Sequence, residues 1–178
     1  VNICEMPNKS GWRADGGEFF YCANNRVLFS GLQRNTRKGV NFVAEELNVN
    51  EVVLLRGEGF HLDTFFTPAL NKDGYIVAFI ICEKFLHPQS KKNLFDYADN
   101  NNIPIFNIPK SDSLGTKTQI GRFAVNALPL PGILLRPDYF SNPIIDEQLS
   151  ELGIKTKITP TSQFQLSGGS VHCVTNEL

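Results

Sequence analysis

The sequence has little with which to build a metal site or cross a membrane. It holds three histidines and four cysteines in 178 residues. Cys4, Cys22, Cys82 and Cys173 are widely and irregularly spaced, with no CxxC pair, which argues against a zinc site and a metal hydrolase. No apolar run is long enough to span a bilayer, and the longest, 75–82, is strand-sized. No basic-then-apolar leader opens the chain. It begins at Val1 rather than Met, in strand-like material, and so reads as a processed or partial chain. An excess of one charge sign is also missing. The net charge is −1 with no basic stripe, which argues against nucleic acid and anionic membranes as partners. A chain of this size needs no disulfides. The cysteines therefore read as free thiols of a reducing compartment, the cytoplasm.

What is present is ordinary globular material, 42% apolar and 20% charged, enough for a single domain over 1–178. Its order repeats. Residues 18–22 and 26–30 read as strands joined at Ala23-Asn24-Asn25. Val40, Val43, Ala44 and Leu47 mark one helical face, and 51–56 reads as a strand. A second pass predicts strands over 61–68 and 74–82, turning at Asn71-Lys72-Asp73-Gly74. A helix N-capped by Ser90 and a strand over 103–108 follow. A third pass predicts strands over 120–128 and 132–136. Its helix has Asn142 as N-cap, Pro143 at its first position and Gly153 at its end, and a strand over 154–158 follows. A last strand pair is predicted over 164–166 and 171–174. The unit ββαβ thus recurs three times, at a period of roughly 45–60 residues.

Four clusters carry candidate chemistry. Asp15-Gly16-Gly17-Glu18 permits close backbone approach beside carboxylates, and also reads as a common turn. Gly31-Leu32-Gln33-Arg34-Asn35-Thr36 offers Arg34 for a forked contact with a carboxylate, or simply a solvated arginine. His61 and Asp63, two apart in a predicted strand, would share a face. The pair reads as an acid/base beside a cation-binding carboxylate, or as a core-edge histidine beside an exposed aspartate. Gly168-Gly169-Ser170-Val171-His172-Cys173 sets a thiol after two glycines, whose N–H groups could face a reacting centre. An isolated cysteine is equally a small buried hydrophobe. A cysteine nucleophile remote in sequence from a histidine and a carboxylate is one way to build a covalent catalyst.

The order of these clusters resembles the guanidino-group-modifying enzymes: arginine and agmatine deiminases, dimethylargininases and arginine amidinotransferases. Ala124-Val125-Asn126-Ala127 followed by Gly132-Ile133-Leu134-Leu135-Arg136-Pro137 is similar to their last module. The resemblance implies an α/β fold of repeated ββαβ modules, a five-module pentein-like propeller around a polar centre, of which this chain carries the later modules and lacks the N-terminal part. It implies Cys173 as nucleophile and His61 as general acid/base. Asp63 would be the carboxylate that holds the guanidinium, and Asp15 the partner of the histidine. Arg34 would bind a substrate carboxylate, and Gly169 would lie at the substrate. The chain departs from the pattern in two places. Asp15 stands where the family carries Glu, and Arg34-Asn35-Thr36 stands where dimethylargininases read Arg-Thr-Asn. The resemblance implies a small guanidino substrate and no metal or cofactor.

A guanidinium is permanently charged, with a pKa above about 12, and water attacks its central carbon poorly. A thiolate divides the reaction into two easier steps. A free thiol titrates near about 8.5, so it needs a cationic neighbour to ionise at neutral pH. The expected reaction is hydrolysis of a guanidino C–N bond through a covalent thiouronium. Amidino transfer to an amine and a non-catalytic guanidine-binding paralogue are the alternatives.

Overall fold

The computed structural model describes residues 4–8 and 10–175. The strand-like opening expected of the sequence falls partly on Val1–Ile3, outside the described residues. The first module begins with a 3-10 turn, Gly16–Glu18, capped by the Asp15 side chain. It continues with β1 (Phe19–Cys22), β2 (Val27–Gly31), α1 (Arg37–Glu46) and β3 (Glu51–Leu55). The second holds β4 (Phe66–Leu70), β5 (Ile76–Ile81), α2 (Pro88–Asn100) and β6 (Ile105–Asn107). The third holds β7 (Leu128–Leu130), β8 (Ile133–Arg136), α3 (Pro143–Glu151) and β9 (Lys155–Ile158). Each module folds its own three-stranded sheet. The first two strands are antiparallel, and the third returns through the helix to pair parallel with the second. The result is a mixed α/β fold of small sheets. Ring closure is not among the features of the described residues.

Local chemistry accounts for most element ends. Asn71 Oδ1 accepts from the Asp73 and Tyr75 amides at 3.0 and 2.9 Å, closing the β4–β5 turn with Gly74 at φ +79°. Asn142 caps α3 by accepting from Ile144 N at 3.2 Å. Thr36 caps α1 by accepting from Gly39 N at 3.2 Å. On α1, Val40 is buried as the stripe requires, whereas Leu47 caps the helix and is exposed. An aromatic cluster joins the first two modules. Phe29 packs on Phe66, Phe79 and Tyr97 at ring separations of 5.1, 5.2 and 5.4 Å, and Phe20 reaches Phe66 at 5.7 Å. Burial of each such ring contributes about 1.5–3 kcal/mol.

Four expectations are corrected, two of them because a side chain takes a backbone amide. Ser90 is not a cap: α2 starts at Pro88 after His87, and Ser90 Oγ instead accepts the Arg56 amide at 2.7 Å. His61 and Asp63 do not lie on a strand. His61 precedes a 3-10 turn, Leu62–Thr64, whose first amide is taken by the Glu18 carboxylate at 3.1 Å. Residues 120–127 form no strand. The amides of Arg122, Phe123 and Val125 bond back to the carbonyls of Ser111, Ser113 and Asp112, and Thr67 Oγ1 caps the Val125 carbonyl. The final strand pair is absent. Ser162–Gln165 is a short helix (α4), and His172–Val174 is a 3-10 turn.

Candidate active site

The fold brings Cys173 and His172 onto the Asp63 carboxylate, with His61 and Asp15 alongside. Asp63 is fully buried in the turn before β4. Its Oδ2 accepts from the Cys173 thiol at 3.4 Å and lies 2.9 Å from His172 Nδ1. Its Oδ1 is buried without a hydrogen-bond partner. His61 and Asp63 converge on Gly17. A Cβ there would stand 2.5 Å from His61 Nδ1 and 3.3 Å from Asp63 Oδ2, so only glycine admits both side chains. His61 Nε2 lies 3.3 Å from Asp15 Oδ2. That is an ion-pair distance without hydrogen-bond alignment, since Nε2 has no hydrogen-bond partner. Asp15 is itself held, its amide donating to Asn35 Oδ1 at 2.6 Å.

The Cys173 thiol is pushed up to about 11, first by burial and then by the Asp63 charge. Gly169 packs directly against it, with room for a Cβ only 3.3 Å from Cys173 Cβ. Arg34 is placed differently. It is exposed, and its guanidinium lies 4.2 Å over the Phe60 ring, which in turn leans on the His61 ring at 4.5 Å.

Three participants escaped the sequence reading. Glu18 is fully buried. Its carboxylate accepts from Arg34 N at 2.6 Å and Leu62 N at 3.1 Å, so one side chain ties the Arg34 and His61 loops together. Burial pushes its carboxyl above the ordinary range, against the pull of those amides. It also fills the space where a Gly31 Cβ would stand, 1.5 Å away. His172 links Asp63 to the aromatic cluster through Phe20, ring to ring at 4.6 Å. Asn126 contacts both Asp63 and the final turn. Each lay in a stretch the sequence had marked, Glu18 beside Asp15, Asn126 in Ala124-Val125-Asn126-Ala127 and His172 beside Cys173, but without a role of its own.

A cleft of about 870 Å³ opens beside the site. Asp15, Gly17, His172 and Cys173 lie along it, and β1, β4 and β7, the first strand of each module, contribute much of its wall. Among the described residues no cluster of three His, Cys, Asp or Glu is arranged to hold a metal, and no helix is long and apolar enough to cross a membrane.

Solved structures share this architecture. The chain matches unliganded AgrE over 97% of its length, with a TM-score of 0.76 and 20% identity. It matches the substrate-bound N-terminal domain of ArgZ, an arginine dihydrolase of cyanobacteria, over 88%, with a TM-score of 0.68 and 24% identity. It matches SxtG, an amidinotransferase from Microseira wollei, over 92%, with a TM-score of 0.64 and 14% identity. The chain has the fold of the guanidino-group-modifying enzymes. It spans 53% of the ArgZ domain, 24% of AgrE and 47% of SxtG. No family model and no curated protein sequence matches it.

Proposed function

We propose that this chain carries the nucleophile side of a guanidino-group-modifying site and hydrolyses a C–N bond of arginine or a related guanidine. The observation that carries the reading is the buried Asp63 carboxylate, with the Cys173 sulfur 3.4 Å from one oxygen and the other oxygen unpartnered. A buried carboxylate with an open acceptor favours a cationic donor, and a flat guanidinium supplies two N–H groups in a fork. In the free site the thiol is held protonated. Binding a cation offsets the Asp63 charge that raises it.

Asp63 would fix the guanidinium. Cys173 passes its proton to His61, and the resulting thiolate adds to the central carbon, forming a C–S bond as one C–N π pair moves onto nitrogen. His61, oriented by Asp15, protonates the departing nitrogen as the C–N bond breaks, leaving an S-linked thiouronium. Neutral His61 then takes a proton from water, the resulting hydroxide adds to the same carbon, and the C–S bond breaks to release a ureido product and the thiol. Arg34, perched on Phe60, would receive the substrate's carboxylate. The three modules would form part of a five-module ring, with β1, β4 and β7 facing its centre. The likeness to SxtG supports a second reading, amidino transfer, in which an amine replaces water in the last step.

Acid-quenched mass spectrometry during turnover of arginine should show an adduct on Cys173, and Cys173→Ser should show neither adduct nor turnover. Citrulline or urea would mark hydrolysis, whereas a new guanidino compound formed only with glycine would mark transfer. Turnover persisting in Cys173→Ser would end the proposal.

A further inference from the structure

We propose that Asn126 activates and aims the Cys173 sulfur. The inference rests on the reading of Cys173 as nucleophile, and its evidence is the geometry of one amide. Asn126 is fully buried, in the irregular stretch before β7. Its Nδ2 donates to the Cys173 sulfur at 3.2 Å and to the Asp63 carbonyl at 3.1 Å. Its Oδ1 accepts from the backbone amides of His172 at 3.1 Å and Cys173 at 3.4 Å. Both donors and both acceptor positions of the side chain are thereby used. The orientation is fixed as well, because a flipped amide would turn its NH2 group toward two N–H donors.

The two ends of the amide do separate jobs. The oxygen clamps the final turn, so the sulfur arrives at a set place beside Asp63. The nitrogen faces the sulfur with a proton. Asp63 does the opposite, since its carboxylate accepts the thiol proton and its charge opposes ionisation. The groups that face the sulfur are therefore one acceptor, Asp63, and donors from Asn126 and the Ser170 backbone. A hydrogen bond strengthens when its acceptor becomes charged, so the Asn126 contact favours the thiolate, the form that attacks. A residue that served only to hold the loop would need the oxygen alone.

The test uses a Cys4→Ser background, because Cys4 is the other exposed thiol while Cys22 and Cys82 are buried. Asn126→Asp keeps both acceptor contacts but exchanges the donor for a negative charge, so Asn126→Leu, which removes the donor without adding charge, is measured beside it to separate the two effects. Alkylation of Cys173 by iodoacetamide, followed against pH, should shift upward by about one unit, with a fall of about tenfold at pH 9. An unchanged profile in a variant that melts with its parent would overturn the proposal. A second measurement needs no substitution at 126. The side-chain amide resonances of Asn126 should shift with the same midpoint as Cys173 alkylation, and should lose that titration in Cys173→Ser. Resonances indifferent to thiol ionisation would also overturn it. Neither readout contains a guanidino compound. Failure of arginine to protect Cys173 would strike the proposed function and leave this inference standing.

Discussion

The Cys173 thiol holds its proton tightly in the free site. Burial and the Asp63 carboxylate both hold its proton, up to about 11. The same carboxylate is proposed to bind the cation that releases that proton, so a single substitution should separate the two effects. In Asp63→Asn the negative charge is gone and the thiol titrates lower. Iodoacetamide should then modify Cys173 at least about threefold faster at pH 8, while protection by arginine disappears. Slower or unchanged modification would show that Asp63 does not govern the sulfur. At this scale the sequence exposed the residues flanked by glycine or grouped in short motifs: Asp15, His61, Asp63 and Cys173. It hid the contacts of Asn126 and Glu18, which join positions far apart. Asn126 lies 47 residues before the sulfur it touches, and Glu18 lies 44 before the Leu62 amide. No local spacing encodes such pairs.

At the scale of elements, the ends of α3 were legible because their chemistry is local. Asn142, Pro143 and Gly153 frame α3 as expected, with Gly153 at φ +79°. The illegible stretches were those whose amides bond to remote groups, such as 61–64 beside Glu18 and 120–127 against 111–113. The cap of α1 also reaches beyond its own helix. Thr36 Oγ1 accepts from both Gly39 N and Arg13 N, and the Thr36 amide donates to the Arg13 carbonyl at 3.1 Å. The strap that delivers Asp15 is thus fastened to the helix start. Thr36→Ala should cost about 1–2 kcal/mol in urea unfolding. It should also lower turnover without changing Cys173 alkylation, since Asp15 faces His61 rather than the sulfur. A stability equal to the parent's would refute the strap.

For the whole molecule, three acids with raised titration, Cys82 and Tyr97 in the core and the more exposed Cys173, set an alkaline limit. Burial raises Cys82 and Cys173 from 9.0 to about 11, and Tyr97 from 10.0 to about 12. In each case the folded state holds its proton more tightly than the unfolded chain does. The associated stability is complete below the unfolded values and is lost as pH climbs through the folded ones. Urea midpoints should therefore hold up to about pH 9 and decline toward pH 12, with a shallower decline in Cys173→Ala. A midpoint that stays level to pH 12 would contradict these burials.

The arrangement of small sheets has one more effect. Among the described residues β1, β4 and β7 are edge strands along the cleft, and exposed edges invite pairing with other chains. Pro68 sits within β4 and Pro129 within β7. Proline has no N–H to offer, so it interrupts the row of donors that an incoming strand would need. Two of the three strands thereby present a broken row of donors along the cleft.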